Sequence, residues 1–187
     1  SLSTEILVLP ETVQMIEKGA FSNCTNLKEV IMPEGLKKVG EASFAGCDNL
    51  KRLKFPDTVT YFGWGALREC GVERVRLPRG MDKIARELFY DCKKLKKIRI
   101  PNSVTSIGQL AFGGCTNLRK VIFSKRLEEI GSKAFYGCTN LKKIRFPYGL
   151  KQVWKYAFAE CENLKTVKWK SDWEKDVHLF SGVFYNC

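Results

Sequence analysis

One sequence unit returns about every 23 residues along the whole chain, and this period constrains the fold more than any other feature. Its clearest markers are eight cysteines separated by 23, 23, 22, 23, 23, 23 and 26 residues. They are Cys24, Cys47, Cys70, Cys92, Cys115, Cys138, Cys161 and Cys187. A fixed period of about 20 to 50 residues is the signature of a stacked solenoid, in which each repeat buries its apolar face against its neighbours. The sequence therefore predicts a single solenoid domain over residues 1–187, with about seven to eight repeats.

Each unit contains a short predicted strand that ends at a proline. Residues 141–147 show the pattern, with apolar and polar residues alternating before Pro147. Such alternation is typical of a half-buried strand, and proline ends it because it has no N–H to give the ladder. A second apolar pair follows, as at Val104 and Ile107, and then a short turn that carries a phenylalanine and the cysteine and is predicted to be helical. The predicted class is an α/β repeat solenoid with a parallel β-sheet, second short strands and short helical turns.

Two further columns, one of glycine and one of asparagine, predict local backbone features of each repeat. Glycine follows the second apolar pair in four repeats, at Gly40, Gly63, Gly108 and Gly131, which indicates either a positive φ or a close backbone approach. Ala85 and Trp154 take this register in two other repeats, so a positive φ is not required in every repeat. An asparagine stands two residues after most cysteines and is expected to hold the turn into the next strand by bonding neighbouring backbone groups.

The cysteines themselves are expected to be free thiols in a buried column. Residues that recur once per coil stack with parallel side chains, and this geometry does not suit a disulfide, whose Cβ atoms lie about 3.8 Å apart. A zinc site is disfavoured because the chain has no Cys-x-x-Cys pair and one histidine, His178. No metal and no cofactor are expected.

The repeat resembles the BspA-like, or treponemal-type, leucine-rich repeat. Residues 101–123 carry its pattern of proline, valine, isoleucine-glycine, alanine-phenylalanine, cysteine, asparagine-leucine, valine and phenylalanine. The resemblance covers the whole chain and departs from the pattern at Leu67, Ala85 and Trp154 and in the segment 170–183. It implies a right-handed superhelix with the parallel sheet on its concave face. It also implies a module of a surface or secreted protein of a host-associated organism, linked to adhesion, with no catalytic residues.

The positive charge of the chain is concentrated on one predicted face. The three outward positions of the eight predicted strands hold 16 of the 32 basic residues and 3 of the 20 acidic ones, a balance of +13. The rest of the chain has a balance of −1, against a net charge of +12 for the whole. Such a ladder attracts polyanions, although repeat duplication alone could also have multiplied a harmless charge preference.

The sequence therefore predicts a non-enzymatic binding module, extracellular or at a cell surface, whose basic face holds an anionic host protein or a sulfated or acidic glycan. The predicted ligand-binding residues are Arg52, Lys54, Arg74, Arg76, Lys97, Arg99, Lys120, Lys143, Arg145 and Lys168. Nucleic acid is disfavoured because the outward columns contain no aromatic residue to stack on bases. A monomer is expected, with no membrane-inserted segment, and 1–187 is expected to be part of a longer surface protein. The open alternatives are a structural spacer without a ligand and an intracellular scaffold.

Two regions stand apart from the regular repeat. The segment 170–183 is longer than its counterparts and is expected to form either a longer loop or a separate edge of the binding surface. At the other end, Ile6, Val8 and Ile31 replace charged residues in the outward columns. They predict either continuation into further coils or a small apolar contact patch.

Overall fold

The computed structural model describes residues 4–170 and 176–187, which form a stack of short parallel strands joined by turns. Three-residue strands form one side of the stack, which we call the first ladder. They are β1 (Ile6–Val8), β3 (Glu29–Ile31), β5 (Arg52–Lys54), β7 (Arg74–Arg76), β9 (Lys97–Arg99), β11 (Lys120–Ile122), β13 (Lys143–Arg145) and β15 (Thr166–Lys168). Each strand covers the middle of the predicted seven-residue pattern, so the predicted strands are confirmed but are shorter than expected.

Two-residue strands form a second side, which we call the second ladder. They are β2 (Met15–Ile16), β4 (Lys38–Val39), β6 (Tyr61–Phe62), β8 (Lys83–Ile84), β10 (Ser106–Ile107), β12 (Glu129–Ile130), β14 (Gln152–Val153) and β16 (His178–Leu179). Apart from β16, each ends on the second residue of the second apolar pair, as β10 ends on Ile107, so the predicted second strands are confirmed at this position. His178 pairs with Gln152 in this ladder, so its local structure is regular rather than irregular as its segment suggested. Residues 171–175 of that segment lie outside the described residues.

The third side of each coil consists of turns, and here the prediction of helical turns needs correction. Residues 41–46 and their equivalents form successive hydrogen-bonded turns, and a left-handed residue interrupts each stretch twice. Every positive-φ residue of the described chain falls in one of two columns, which lie two residues after the glycine register and directly before the cysteine. Two left-handed residues within six prevent a continuous right-handed helix.

The turn side is bonded between coils as regularly as a sheet. The N–H of Phe112 donates to the carbonyl oxygen of Ala134 at 2.7 Å, and the N–H of Phe135 donates to that of Ala157 at 2.7 Å. The asparagine column adds to these bonds: the Asn117 side-chain amide donates to the Lys93 carbonyl oxygen at 2.7 Å. The structural role predicted for the asparagines is confirmed, although they bond the previous coil and do not take the left-handed conformation.

The core consists of columns of identical residues, one from each coil. Phe89, Phe112, Phe135 and Phe158 are fully buried, and their rings stack at centroid distances of 5.0–5.2 Å with nearly parallel planes. Leu67 occupies this column between Phe44 and Phe89 and interrupts the ring stack. The cysteines form a second buried column; they are free, as predicted, and Cys187 is the exposed exception.

The glycine column is explained by close packing rather than by backbone conformation. None of these glycines has a positive φ. A Cβ added to Gly63 would lie 2.4 Å from the backbone nitrogen of Glu41, and one added to Gly40 would lie 2.6 Å from the carbonyl carbon of Glu17. The close-approach alternative of the prediction is therefore the correct one.

The two ladders are interrupted at different junctions between successive coils, where neighbouring strands are not joined by backbone hydrogen bonds. The first ladder consists of the bridged pairs β1–β3, β5–β7, β9–β11 and β13–β15, and the second ladder divides into β2–β4–β6 and β8–β10–β12–β14–β16. Where one ladder is unbridged, the other is bridged, so each junction keeps at least one ladder as well as its turn-side bonds. The parallel sheet is confirmed, but it is segmented rather than continuous. The handedness of the superhelix and the concave placement of the first ladder stay predictions.

Candidate anion-binding face

The structure brings the ten predicted ligand-binding residues together on one exposed surface. Each strand of the first ladder turns its middle residue toward the core, as Ile98 and Ile144 show with no exposed surface, and turns both flanking residues to solvent. All ten predicted residues are such flanking residues, and all ten are exposed. The alternation of the sequence therefore places the basic residues correctly. Whether they bind a ligand is treated below as a proposal.

Parallel pairing stacks like charges directly opposite each other. Arg52 is opposite Arg74 in β5–β7, and Arg145 is opposite Lys168 in β13–β15. Neighbouring strands of a sheet lie about 5 Å apart, so these positive side chains leave the sheet as close neighbours. Charge does not decide which strands are bridged, because the like-charged β5 and β7 are bridged whereas β3 and β5, which bring Glu29 near Arg52, are not.

Few of the predicted residues are neutralised within the described residues. The Arg76 guanidinium lies 3.1 Å from the Asp57 carboxylate. The backbone N–H of Arg79 donates to the same carboxylate and, helped by Arg76, lowers the pKa of Asp57. The other nine predicted residues form no ion pair with any described residue. Most of this surface can therefore bind external anions without first breaking an internal pair.

Lysines of the first outward column, which precedes each strand, are partly paired. Lys28 lies 2.6 Å from Glu5, and Lys96 lies 2.7 Å from Glu73, whose pKa Lys96 lowers. Exposed pairs of this kind contribute about 0–1 kcal/mol, so they align side chains more than they stabilise the fold. The available charge is consequently richer toward the C-terminal end, where the outward columns contain no acidic residue after Glu73.

Two grooves cross the face at junctions where the first ladder is not bridged. One lies between β7 and β9, has a volume of about 580 Å³ and includes Arg76, Arg79 and Arg99 in its lining. The other lies between β11 and β13 and has a volume of about 620 Å³. Among the described residues its lining has six cationic side chains and no acidic one, and we call it the basic groove. The six are Arg119, Lys120, Lys125, Lys143, Arg145 and Lys170.

The basic groove combines this charge with an apolar floor. Val121, Ile122, Phe123, Phe146 and Pro147 line it between the cationic side chains. Val121 is 8% exposed and Phe123 is 9% exposed, and Ile122 is half-buried, so ligands can reach part of this apolar surface. Pockets that bind ligands commonly have such an apolar lining with a few placed charged groups.

Sequence reasoning missed three cationic residues of this groove and the groove itself. Arg119 lies in the outward column that precedes each strand, from which no predicted ligand-binding residue comes. Lys125 and Lys170 lie after the strands, at the proline register or directly beyond it, and only strand positions were considered. Lys170 replaces the strand-ending proline of other repeats, a departure that could have drawn attention to it. The missing bridge between β11 and β13 has no evident signal in the sequence.

The described residues were also compared with the requirements of aromatic stacking sites, metal sites and membrane-spanning helices. Exposed aromatic residues lie outside the first-ladder strands, although Tyr148 directly follows Pro147 of the basic groove. Another is Trp64, whose ring carries the Arg86 guanidinium 5.1 Å from its centroid. Among residues 4–170 and 176–187, no group of three or more histidine, cysteine, aspartate or glutamate side chains is placed to hold a metal ion. Within the same residues, no helix has the length and apolar character needed to cross a membrane.

Comparison with known proteins settles the family. The sequence matches the family described as BspA type Leucine rich repeat region in six copies, over residues 1–81 and 82–187. The chain belongs to this family. The resemblance inferred from residues 101–123 is thereby confirmed, and it places this BspA-type protein among leucine-rich-repeat solenoids.

Solved structures of similar proteins share the fold. The leucine-rich repeat protein of T. pallidum is 27% identical over 99% of this chain and 77% of its own, with a TM-score of 0.69. A leucine-rich repeat protein from Eubacterium ventriosum is 23% identical with a TM-score of 0.79, and the match covers 84% of this chain and 43% of that one. A leucine rich cell surface protein from Faecalibacterium prausnitzii is 24% identical, over 89% of this chain and 60% of its own, with a TM-score of 0.50. No curated protein sequence matches the chain.

Proposed function

We propose that this BspA-type solenoid is a non-enzymatic binding module that holds an anionic partner on its first ladder. The observation that carries the proposal is the charge distribution: ten basic residues stand exposed on one surface, and nine of them have no ion pair with a described residue. Unpaired like charges on neighbouring strands create a positive potential that attracts polyanions and accelerates their encounter. The partner is an acidic protein surface or a sulfated glycan, and the module acts as a monomer.

Location is part of the proposal. The similar protein from Faecalibacterium prausnitzii is named a cell surface protein, but at 24% identity the likeness establishes only the shared fold. The chain spans 43% of the Eubacterium ventriosum relative and 60% of the Faecalibacterium one, so it corresponds to a part of those proteins. We place this module outside the cell or at its surface, where a basic face would meet host glycans and matrix proteins.

Charge reversal on the face tests the proposal. A control variant with charge reversals elsewhere has the same net charge as the face variant. The face variant carries Arg52→Glu, Arg74→Glu, Lys97→Glu and Arg99→Glu. The control variant carries Lys37→Glu, Lys38→Glu, Lys83→Glu and Lys155→Glu, which are exposed residues outside the first ladder. Binding to heparin and to poly-L-glutamate is measured from 50 to 500 mM salt, because attraction between exposed charges weakens over roughly that range.

We expect the face variant to lose binding to at least one probe and the control to retain most of it. Equal losses in both variants would mean that only net charge matters, which contradicts a dedicated face. If the unaltered protein binds neither probe at about 150 mM salt, the structural spacer is the better description of the module.

A further inference from the structure

We propose that the basic groove anchors an acidic peptide segment that carries an apolar side chain. The inference rests on the proposed function, since it assigns the anionic partner of the face a chemical class and a site. Of the two grooves that cross the face, the one between β11 and β13 is singled out by its charge, and its floor and backbone then indicate the class of ligand.

No described residue compensates the charge in the basic groove. Its six cationic side chains have no ion pair with any residue of the described ranges, and its described lining includes no acidic residue. In the groove between β7 and β9, by contrast, the Asp57 carboxylate lies 3.1 Å from Arg76 and 3.9 Å from Arg79, which both line that groove. An anionic ligand would compete with that carboxylate there, whereas it meets no described carboxylate in the basic groove. The basic groove is therefore the stronger anion site.

The apolar floor decides between a peptide and a glycan. A sulfated glycan presents hydroxyl and sulfate groups, which leave the exposed parts of Val121, Ile122 and Phe123 without an apolar partner. A peptide can place carboxylates on the surrounding lysines and arginines and an aromatic or aliphatic side chain on the floor. Burial of apolar surface contributes about 25 cal/mol per Å², so a ligand that covers the floor gains affinity that a purely charged one lacks.

The backbone of the groove also suits a peptide. Strands β11 and β13 are neighbours but are not bridged, and no backbone hydrogen bond joins residues 119–123 to residues 142–146. The facing edges thus do not use each other's N–H and C=O groups. A peptide main chain offers both donors and acceptors to such groups, as in strand addition at a sheet edge.

The test uses three probes and a pair of charge-matched variants. The probes are a fluorescein-labelled peptide with a tryptophan between runs of glutamate, the same peptide with serine in place of tryptophan, and a labelled heparin oligosaccharide. The groove variant is Lys143→Gln with Arg145→Gln. Its control is Arg52→Gln with Lys54→Gln, which removes the same number of charges from the same two columns but from strand β5, which lines neither groove. Affinities are measured by fluorescence anisotropy at fixed salt, and circular dichroism confirms that both variants stay folded.

We expect the groove variant to bind the tryptophan peptide about tenfold or more weakly than the unaltered protein, because charge-assisted contacts are lost. The control should bind that peptide less than about threefold more weakly. The serine peptide should bind the unaltered protein several-fold more weakly than the tryptophan peptide. Ile122→Ser, which alters the floor without altering charge, should remove that difference.

Three results would overturn the inference while leaving the proposed function in place. The first is an equal loss of affinity for the tryptophan peptide in the groove variant and its control. The second is equal affinity of the unaltered protein for the two peptides. The third is an oligosaccharide that binds the groove more tightly than the tryptophan peptide does. Failure of the unaltered protein to bind any of the probes would instead contradict the proposed function itself.

Discussion

At the scale of single residues, the buried cysteines show how a repeat turns one side chain into a column of contacts. The thiol of Cys115 donates to the carbonyl oxygen of Phe89 at 3.1 Å, and that of Cys138 donates to Phe112 at 3.2 Å. Each thiol thus bonds the backbone of the preceding coil while its sulfur fills the core. Burial raises the pKa of Cys47 and of Cys161 to about 12 and raises that of Cys115 well above its usual range.

These thiols predict a loss of stability at alkaline pH. An unfolded cysteine ionises near pH 8.5, whereas Cys47 and Cys161 stay neutral in the folded protein up to about pH 12. Above the lower value the unfolded state releases protons that the folded state retains, so the free energy of unfolding falls as pH rises between the two values. The stability that the thiols contribute is fully present below about pH 8.5.

The measurement is urea unfolding from pH 7 to pH 10.5, compared with a variant carrying Cys92→Ala and Cys115→Ala. Lysine and tyrosine also titrate in this range, but they are the same in both proteins, so the difference in slope isolates the two thiols. The variant should show the shallower decline. Identical slopes would mean that these thiols do not stay neutral in the folded protein.

Residue roles could be read from the sequence where a column repeats in most or all coils. Buried thiols, exposed strand lysines and the structural asparagines follow from their fixed register, and the structure confirms these placements. The left-handed positions could not be read in the same way. Ala42, Lys133 and Tyr156 share one such column although none of them favours a positive φ, because the stacking of the coils sets the backbone there and overrides local preference.

At the scale of elements, the glycine register decides how closely successive coils approach. Gly63 follows strand β6, and its N–H donates to the Val39 carbonyl oxygen at 2.8 Å. The next coil has Ala85 in this register, and there the second ladder is unbridged between β6 and β8. Trp154 occupies the same register beside the bridged β12 and β14, so a side chain alone does not open the ladder. The turn after Cys70, one residue shorter than its counterparts, coincides with the opening.

Gly63→Ala should therefore destabilise the protein, by about 1–3 kcal/mol, because its Cβ would meet the backbone rather than a movable side chain. Gly149→Ala is the matched control, since its Cβ would come no closer than 4.0 Å to another atom and its φ is not positive. Unfolding midpoints in urea give the comparison. Equal stability of the two variants would contradict the account of close packing given for this column.

Elements were predictable to the extent that each depends on one repeat alone. The first-ladder strands and the second short strands follow from apolar spacing. The prediction of helical turns was wrong because two left-handed residues interrupt each turn. The two columns that hold these residues have no constant residue type, so the sequence pattern does not reveal them. Bridging depends on the distance between successive coils, which the pattern of a single repeat does not encode.

At the scale of the whole molecule, the separation of charge is the dominant feature. The outward columns of the first ladder hold a balance of +13 and the remainder −1, so repulsion acts along one side of the stack. Each pair of exposed like charges at about 4 Å costs roughly 1 kcal/mol in water without salt. Added salt screens this repulsion over a distance of about 10 Å at 0.1 M.

The protein should consequently become more stable as salt rises from about 10 to 300 mM, as the Debye length shrinks. The midpoint of thermal unfolding in sodium chloride measures the effect. The variant with Arg52→Gln and Lys54→Gln should show a smaller rise, because it removes two like-charged neighbours of Arg74 and Arg76. A midpoint that falls with salt in the unaltered protein would mean that attractive pairs such as Lys96–Glu73 outweigh the repulsion.

The basic face could be predicted from the sequence because it needs only strand alternation and a count of charges. The basic groove could not, because Lys125 and Lys170 belong to turns and the gap between β11 and β13 is a tertiary feature. The partner, too, depends on which charges remain uncompensated, and the pairing of Arg76 with Asp57 is visible only in three dimensions.

The staggered bridging has a mechanical consequence. At three junctions, between β3 and β5, β7 and β9, and β11 and β13, successive coils are joined by the second ladder and by turn-side hydrogen bonds but not by the first ladder. These junctions alternate with the four bridged strand pairs of the basic side. We therefore expect the coils to separate more easily along the first ladder at these three places than within a bridged pair.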